Sequence, residues 1–240
     1  PKTSLANIII YTSPHPFIVL FTHNFSWLSF RIHLHPSSKM ARQLTKLGFM
    51  DVKKTLFMLC DLQAKFRPGM PMFDPVVKNA GKLVQAGKML DIPLIVTEHY
   101  PEKLGKIVPE LDIAHAKAVF PKTLFSMMIP EVKSKINELY GSGNLETVVL
   151  FGLESHICLE QTAMDLLKDG YTVHVAADCS VSRTQEDRKL ALERLRQYGC
   201  FVSTSENIIF KLMKDKNHPA FDTVRHVVRD ASVDTGLAKL

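Results

Sequence analysis

The 240-residue chain has few cysteines, no glycine-rich phosphate loop, no acid near its start and no long apolar run there. Each shortage removes a class of protein. Its four cysteines, Cys60, Cys158, Cys179 and Cys200, form no C-x-x-C pair and no zinc-ribbon or secreted-disulfide spacing, so a reducing compartment is expected. Neither GxGxxG nor GxxxxGK[ST] occurs, which counts against dinucleotide-binding enzymes and NTPases. No Asp or Glu precedes Asp51; five of the 30 Lys and Arg lie in that stretch, and the remaining 25 face 24 Asp and Glu. The main part of the chain is therefore nearly neutral and carries no phosphate-backbone footprint, so no nucleic-acid partner is expected. The longest apolar run of the first 39 residues, 17–21, is far too short to cross a bilayer, and no membrane partner is expected.

What is present is enough for a packed interior. Hydrophobic residues make up 46% and charged residues 22%, which excludes a disordered or collagen-like chain. One core in a chain of this length buries roughly 70% of the unfolded surface. Residues 1–39 differ from the rest, mixing short apolar runs with Pro14, Pro16, Pro36 and four histidines, and are expected to be an extension or upstream-translated artefact outside the fold. His33 and His35 form a metal-binding pattern only if that segment is ordered.

From Thr55 onward, apolar runs alternate with amphipathic stretches, the signature of βαβ units and a parallel sheet. Strands are predicted at 55–60, 93–97, 116–120, 147–152, 172–177 and 200–203. Between the first two, Val76, Ala80, Leu83, Val84 and Gly87 line one helical face, with Lys78, Lys82 and Lys88 facing away. Gly170 and Gly199 suit the left-handed position that closes a helix, and a last helix is predicted around Phe221, Val224, Val227 and Val228. Right-handed crossovers then give an open sheet covered by helices on both sides.

Ligands bind such sheets beyond the carboxyl ends of the strands. Asp61 follows the first predicted strand, Lys122 the third, and Gly152-Leu153-Glu154-Ser155-His156-Ile157-Cys158 leads from the fourth into a helix. Taken singly, Asp61 reads as a helix cap, Lys122 as a solvated lysine and Cys158 as a buried helix residue. Together they place a carboxylate, an ammonium and a thiol on one rim. A thiol at a helix amino terminus feels the positive end of the macrodipole, and a nearby ammonium favours the thiolate further. A carboxylate within reach can take the thiol proton, and free backbone N–H groups can hold an oxyanion. Cys60, Cys179 and Cys200, at the ends of strand-like runs, read as small buried hydrophobes.

The segments LCDLQAKFRP, IVTEHYPEKLG, FPKTLFSM, VLFGLESHICLEQTAMDLLKDGYTVHVAADCSVSR and STSENIIFKL resemble the isochorismatase-like cysteine hydrolases, most closely the isochorismatase domain-containing proteins of eukaryotes. The resemblance covers residues 50–236 and implies a three-layer α/β/α sandwich around a six-stranded parallel sheet of order 3-2-1-4-5-6. It implies a catalytic triad of Asp61, Lys122 and Cys158, a cis peptide at Leu153-Glu154, and oxyanion donors at the backbone N–H groups of Glu154 and Cys158. Gln63, Phe66 and His156 become candidate substrate-binding residues; for Phe66 core packing and for His156 a structural hydrogen bond are the other readings. Nicotinamidases of the superfamily hold a metal through an Asp-x-His pair that Thr97-Glu98-His99-Tyr100-Pro101 lacks. His99 and His115 are weak metal candidates, so metal-free, cofactor-free chemistry is expected. True isochorismatases cleave a vinyl ether without the cysteine, so Cys158 points to C–N cleavage of a small amide-like substrate through a thioester. The other readings are a metal-assisted nicotinamidase-like amidase and a non-catalytic binding or scaffold protein. Relatives imply a homo-oligomer. The end, Ala238-Lys239-Leu240, resembles a peroxisomal address, the alternative to a cytoplasmic location.

Overall fold

The computed structural model describes residues 47–239, together with the backbone of Ile18–Val19 and Ser29–Phe30. Two compact units divide the chain, Pro1–Thr45 and Lys46–Leu240. In the first, Ile18 pairs with Phe30 and Val19 with Ser29 in antiparallel sense. Otherwise the expected extension, its His33 and His35, and Leu240 of the terminal tripeptide lie outside the described residues.

The second unit carries six strands, β1 (Thr55–Cys60), β2 (Leu94–His99), β3 (Ala118–Lys122), β4 (Thr147–Leu153), β5 (Thr172–Val181) and β6 (Phe201–Ser203). They form one parallel sheet in the order β3-β2-β1-β4-β5-β6, the expected 3-2-1-4-5-6 topology. The helices are α1 (Phe73–Met89), α2 (Pro101–Leu104), α3 (Pro130–Tyr140), α4 (Cys158–Lys168), α5 (Gln185–Gln197), α6 (Ser205–Met213) and α7 (Phe221–Val227). Central strands covered on both faces read as continuous apolar runs, and β1, TLFMLC, is buried throughout. Its Phe57 and Leu59 enter a core with α1, α6 and α7, while Leu56, Met58 and Cys60 enter a second core with α3, α4 and α5. The result is three layers, α/β/α.

All five apolar positions expected to line α1 are buried, and Lys78 and Lys88 are exposed. Lys82 is half-buried instead, because its Nζ donates to the carbonyls of Asp230 and Ala231. Gly170 and Gly199 follow α4 and α5 at φ 90° and 97°, the helix-closing conformation predicted for them.

Three strands run further than their apolar residues suggest. β2 and β3 continue together until His99 pairs with Lys122, so Lys122 ends its strand rather than following it. β5 reaches Val181 because its pairing with β4 skips from Leu150–Val175 to Gly152–Ser180, a bulge that accommodates Asp178. That buried carboxylate accepts from the backbone N and hydroxyl of Ser205, so a polar residue sits inside the strand at no loss of hydrogen bonding. The tail is held as well: Asn79 exchanges hydrogen bonds with the backbone of Val233, and the buried Arg188 donates to Thr235. No helix of the described residues is long and apolar enough to cross a membrane.

Candidate active site

In a parallel sheet every strand ends on the same rim, so β1, β2, β3 and β4 deliver their last residues to one crevice. Asp61 leaves β1 with φ 48°, a left-handed conformation that Asp tolerates better than most residues, and is 1% exposed. Its Oδ1 accepts a hydrogen bond from Thr97 Oγ1 at 2.7 Å, and its Oδ2 accepts one from Lys122 Nζ at 2.6 Å. The Lys122 ammonium also donates to the carbonyls of Leu124 and Phe125, at 3.1 and 2.9 Å, so all three hydrogens have acceptors. Burial by itself would lower the Lys122 pKa, but Cys60, Asp61 and Cys158 raise it above the ordinary lysine value. The lysine is therefore charged at neutral pH.

Cys158 is the first residue of α4 and 7% exposed. The preceding Ile157 supplies no side-chain cap, and the Leu159 N–H instead donates to the Glu154 carbonyl at 3.1 Å. Thr162 fastens this turn, donating to the Cys158 carbonyl at 2.6 Å and accepting from Met127 N at 2.9 Å. A carboxylate oxygen of Asp61, the Cys158 sulfur and a ring nitrogen of His99 all lie within 4.8 Å of one another. Asp61 thus has Lys122 ion-paired to one oxygen and the Cys158 sulfur close by. The Leu153–Glu154 peptide, in the turn between β4 and α4, is cis.

The other expected residues have definite places. Gln63 is fully buried with its amide committed to backbone: Nε2 donates to His99 O and Gly105 O, and Oε1 accepts from His99 N. Phe66 packs partly buried against the α1-side core. His156 Nδ1 lies 3.0 Å from Ser182 Oγ, and its Nε2 is 3.9 Å from both Glu154 and Asp187 carboxylates. Burial raises the Glu154 pKa, against His156 and Arg183. His115 precedes β3, beside Asp112, Lys88 and Lys117, and is not part of the Asp61 cluster.

Two contributors, Thr97 and Cys60, were not assigned to this site from the sequence, and His99 was weighed only as a weak metal candidate. Thr97 holds Asp61 from β2, and the parallel register that sets Thr97 beside Cys60 is the only signal for it. Cys60 is indeed buried, yet its thiol also donates to Asp61 Oδ2 at 3.5 Å. Burial, a hydrogen bond with Cys158 and the Asp61 charge push the Cys60 pKa well up, so it stays a thiol. His99 stacks on Phe125 with ring centroids 5.6 Å apart, and burial, then Lys122, lower its pKa, leaving a neutral ring at pH 7.

Comparison with known proteins matches residues 55–207 to the isochorismatase domain model. The chain is 40% identical over 207 residues to isochorismatase domain-containing protein 1 of Danio rerio, covering 86% of this chain and 71% of that protein. It is 41% identical over 197 residues to isochorismatase domain-containing protein 2 of Xenopus laevis, covering 82% and 94%. Among solved structures it resembles the MAR1 ribonuclease of Caenorhabditis elegans, with a TM-score of 0.74 and 35% identity over 79% of this chain and 97% of that one.

Proposed function

This chain belongs to the isochorismatase family, and from that premise we propose that it is a cysteine-dependent hydrolase cleaving the C–N bond of a small amide-like substrate. One observation carries the reading: an ion-paired carboxylate and ammonium, buried 2.6 Å apart, stand beside the thiol of a helix-terminal cysteine. Asp61 takes the Cys158 proton, and the thiolate adds to the substrate carbonyl, forming a C–S bond and an oxyanion. The N–H groups of Glu154 and Cys158 receive that oxyanion. The intermediate collapses with loss of the C–N bond, and the departing nitrogen takes the proton from Asp61. Water, deprotonated by Asp61, then adds to the thioester; the C–S bond breaks, the acid leaves and the sulfur recovers its proton. Lys122 balances the carboxylate and thiolate charges throughout. In this reading Gln63 positions the His99 backbone, while Phe66 and His156 shape the pocket wall.

The C. elegans relative is named a ribonuclease, but here the residues beyond the first 50 carry only a slight basic excess, a poor attractant for a polyphosphate chain. A screen of small amides, ureides and imides for ammonia release tests the proposal. Wild type should turn over at least one, and Cys158→Ala should lose activity by about 10³-fold or more. Turnover abolished by chelation would favour the metal-assisted, nicotinamidase-like reading. No turnover of any compound, with Cys158 no more reactive to alkylation than Cys60, Cys179 or Cys200, would leave a non-catalytic binding protein.

A further inference from the structure

The crevice contains more donor chemistry than the hydrolysis uses. His99 takes no part in the steps above, yet its ring lies within 4.8 Å of both the Asp61 carboxylate and the Cys158 sulfur. Its Nδ1 is buried without a hydrogen-bond partner among the described residues, and stacking on Phe125 fixes the ring plane. Gln63 further fixes its backbone through both the N–H and the carbonyl. A held imidazole, a carboxylate and a thiol are three different donors from β2, β1 and α4 converging on one point. We propose that Asp61, His99 and Cys158 form a Zn²⁺ site whose occupancy switches the enzyme off.

The donor set selects the ion. Sulfur and imidazole nitrogen disfavour Mg²⁺ and Ca²⁺, whereas zinc accepts thiolate, imidazole and carboxylate together. Bonds of about 2.0–2.3 Å at tetrahedral angles put ligand atoms roughly 3.4–3.6 Å apart. Donors already within 4.8 Å need close in by little more than an ångström, a side-chain adjustment. Three protein ligands leave the fourth position to water. The Lys122 ammonium opposes a dication, but a Cys158 thiolate and the Asp61 carboxylate bring two negative charges against its one. The Leu124 and Phe125 carbonyls keep two of the three Lys122 hydrogens bonded when Asp61 turns an oxygen to the metal. Zinc binding displaces the Cys158 proton and occupies both the nucleophile and its base. The inhibitory consequence rests on the hydrolase reading; the binding itself does not.

The test titrates zinc chloride into the reduced, metal-stripped full chain in competition with a chromophoric chelator. One ion per chain is expected. Cys158→Ser and His99→Gln should each weaken binding by about tenfold or more, while Cys200→Ser matches wild type. Cobalt substituted for zinc should show a sulfur-to-cobalt charge-transfer band that vanishes in Cys158→Ser, and circular dichroism checks that each variant is folded. Absence of stoichiometric binding, or wild-type affinity in both folded variants, overturns the site. Turnover unaffected by saturating zinc overturns the switch alone, whereas zinc binding without turnover of any amide sinks the hydrolase reading and leaves the site standing.

Discussion

Lys122 and Asp61 form an ion pair with both side chains essentially out of solvent, so the cost of breaking it is set by the charge left behind. Lys122→Met strands the Asp61 carboxylate and should lower stability by about 3–5 kcal/mol in urea titrations. Because the folded lysine pKa lies above the unfolded 10.5, the pair's contribution is complete below that value and is lost as pH rises through the raised one. The variant should therefore lose an alkaline dependence of stability that wild type shows. His174 has the opposite sign. It is fully buried in β5, stacked on Phe201 at 4.9 Å, with neither ring nitrogen partnered among the described residues. Burial, then Lys211, lower its pKa from 6.5 to about 4. The unfolded chain thus takes up a proton that the fold refuses, and stability falls as pH drops from 6.5 towards 4. That loss amounts to about 3 kcal/mol. His174→Phe should flatten this acid slope in thermal melts across the same range, and an unchanged slope would assign the sensitivity elsewhere.

At the level of elements, close approach decides which substitutions the rim tolerates. Gly152 sits near the end of β4 at φ 118°, paired with Cys60, and a Cβ there would stand 2.1 Å from the Cys60 carbonyl oxygen. That oxygen belongs to a central strand and cannot give way. Gly152→Ala should cost about 3 kcal/mol or more and displace Cys60 and Asp61, read as a lowered denaturant midpoint together with slowed alkylation of Cys158. On α1, a Cβ added at Gly87 would stand 2.8 Å from the Phe57 ring, which is why a glycine occupies the middle of an apolar helical stripe. The apolar stretches were legible because fully buried parallel strands read as uninterrupted hydrophobic runs. The distal half of β5 was not, because Asp178 and Ser180 are polar and their burial depends on a bulge and on Ser205 of α6. Lys122 was located as a rim residue, but its place inside β3 depends on pairing with His99.

For the whole molecule, an open sheet leaves two edges, and β3 is the one beside the crevice. Val119 on that strand, Leu124 and Phe125 just beyond it and the neighbouring Tyr100 are large exposed hydrophobics. Covering them by a second copy fits the expected homo-oligomer. Light scattering should give a mass that is a multiple of the chain's, reduced by Phe125→Glu; a monomeric mass for wild type would refute the assembly. At this scale the division between sequence and fold is plain. Sequence alone determined the alternation of strands and helices, the two-sided burial and the chemical types at three strand ends, because hydrophobic period and turn chemistry are local and survive in one dimension. Only the tertiary structure decided that Thr97, Cys60 and His99 share the crevice with Asp61 and Cys158. The same holds for Asn79 and Arg188, which bind a tail 154 and 47 residues away. Such contacts arise from strand order, register and loop course, which are set by the packing of the entire sheet and leave no periodic mark along the chain.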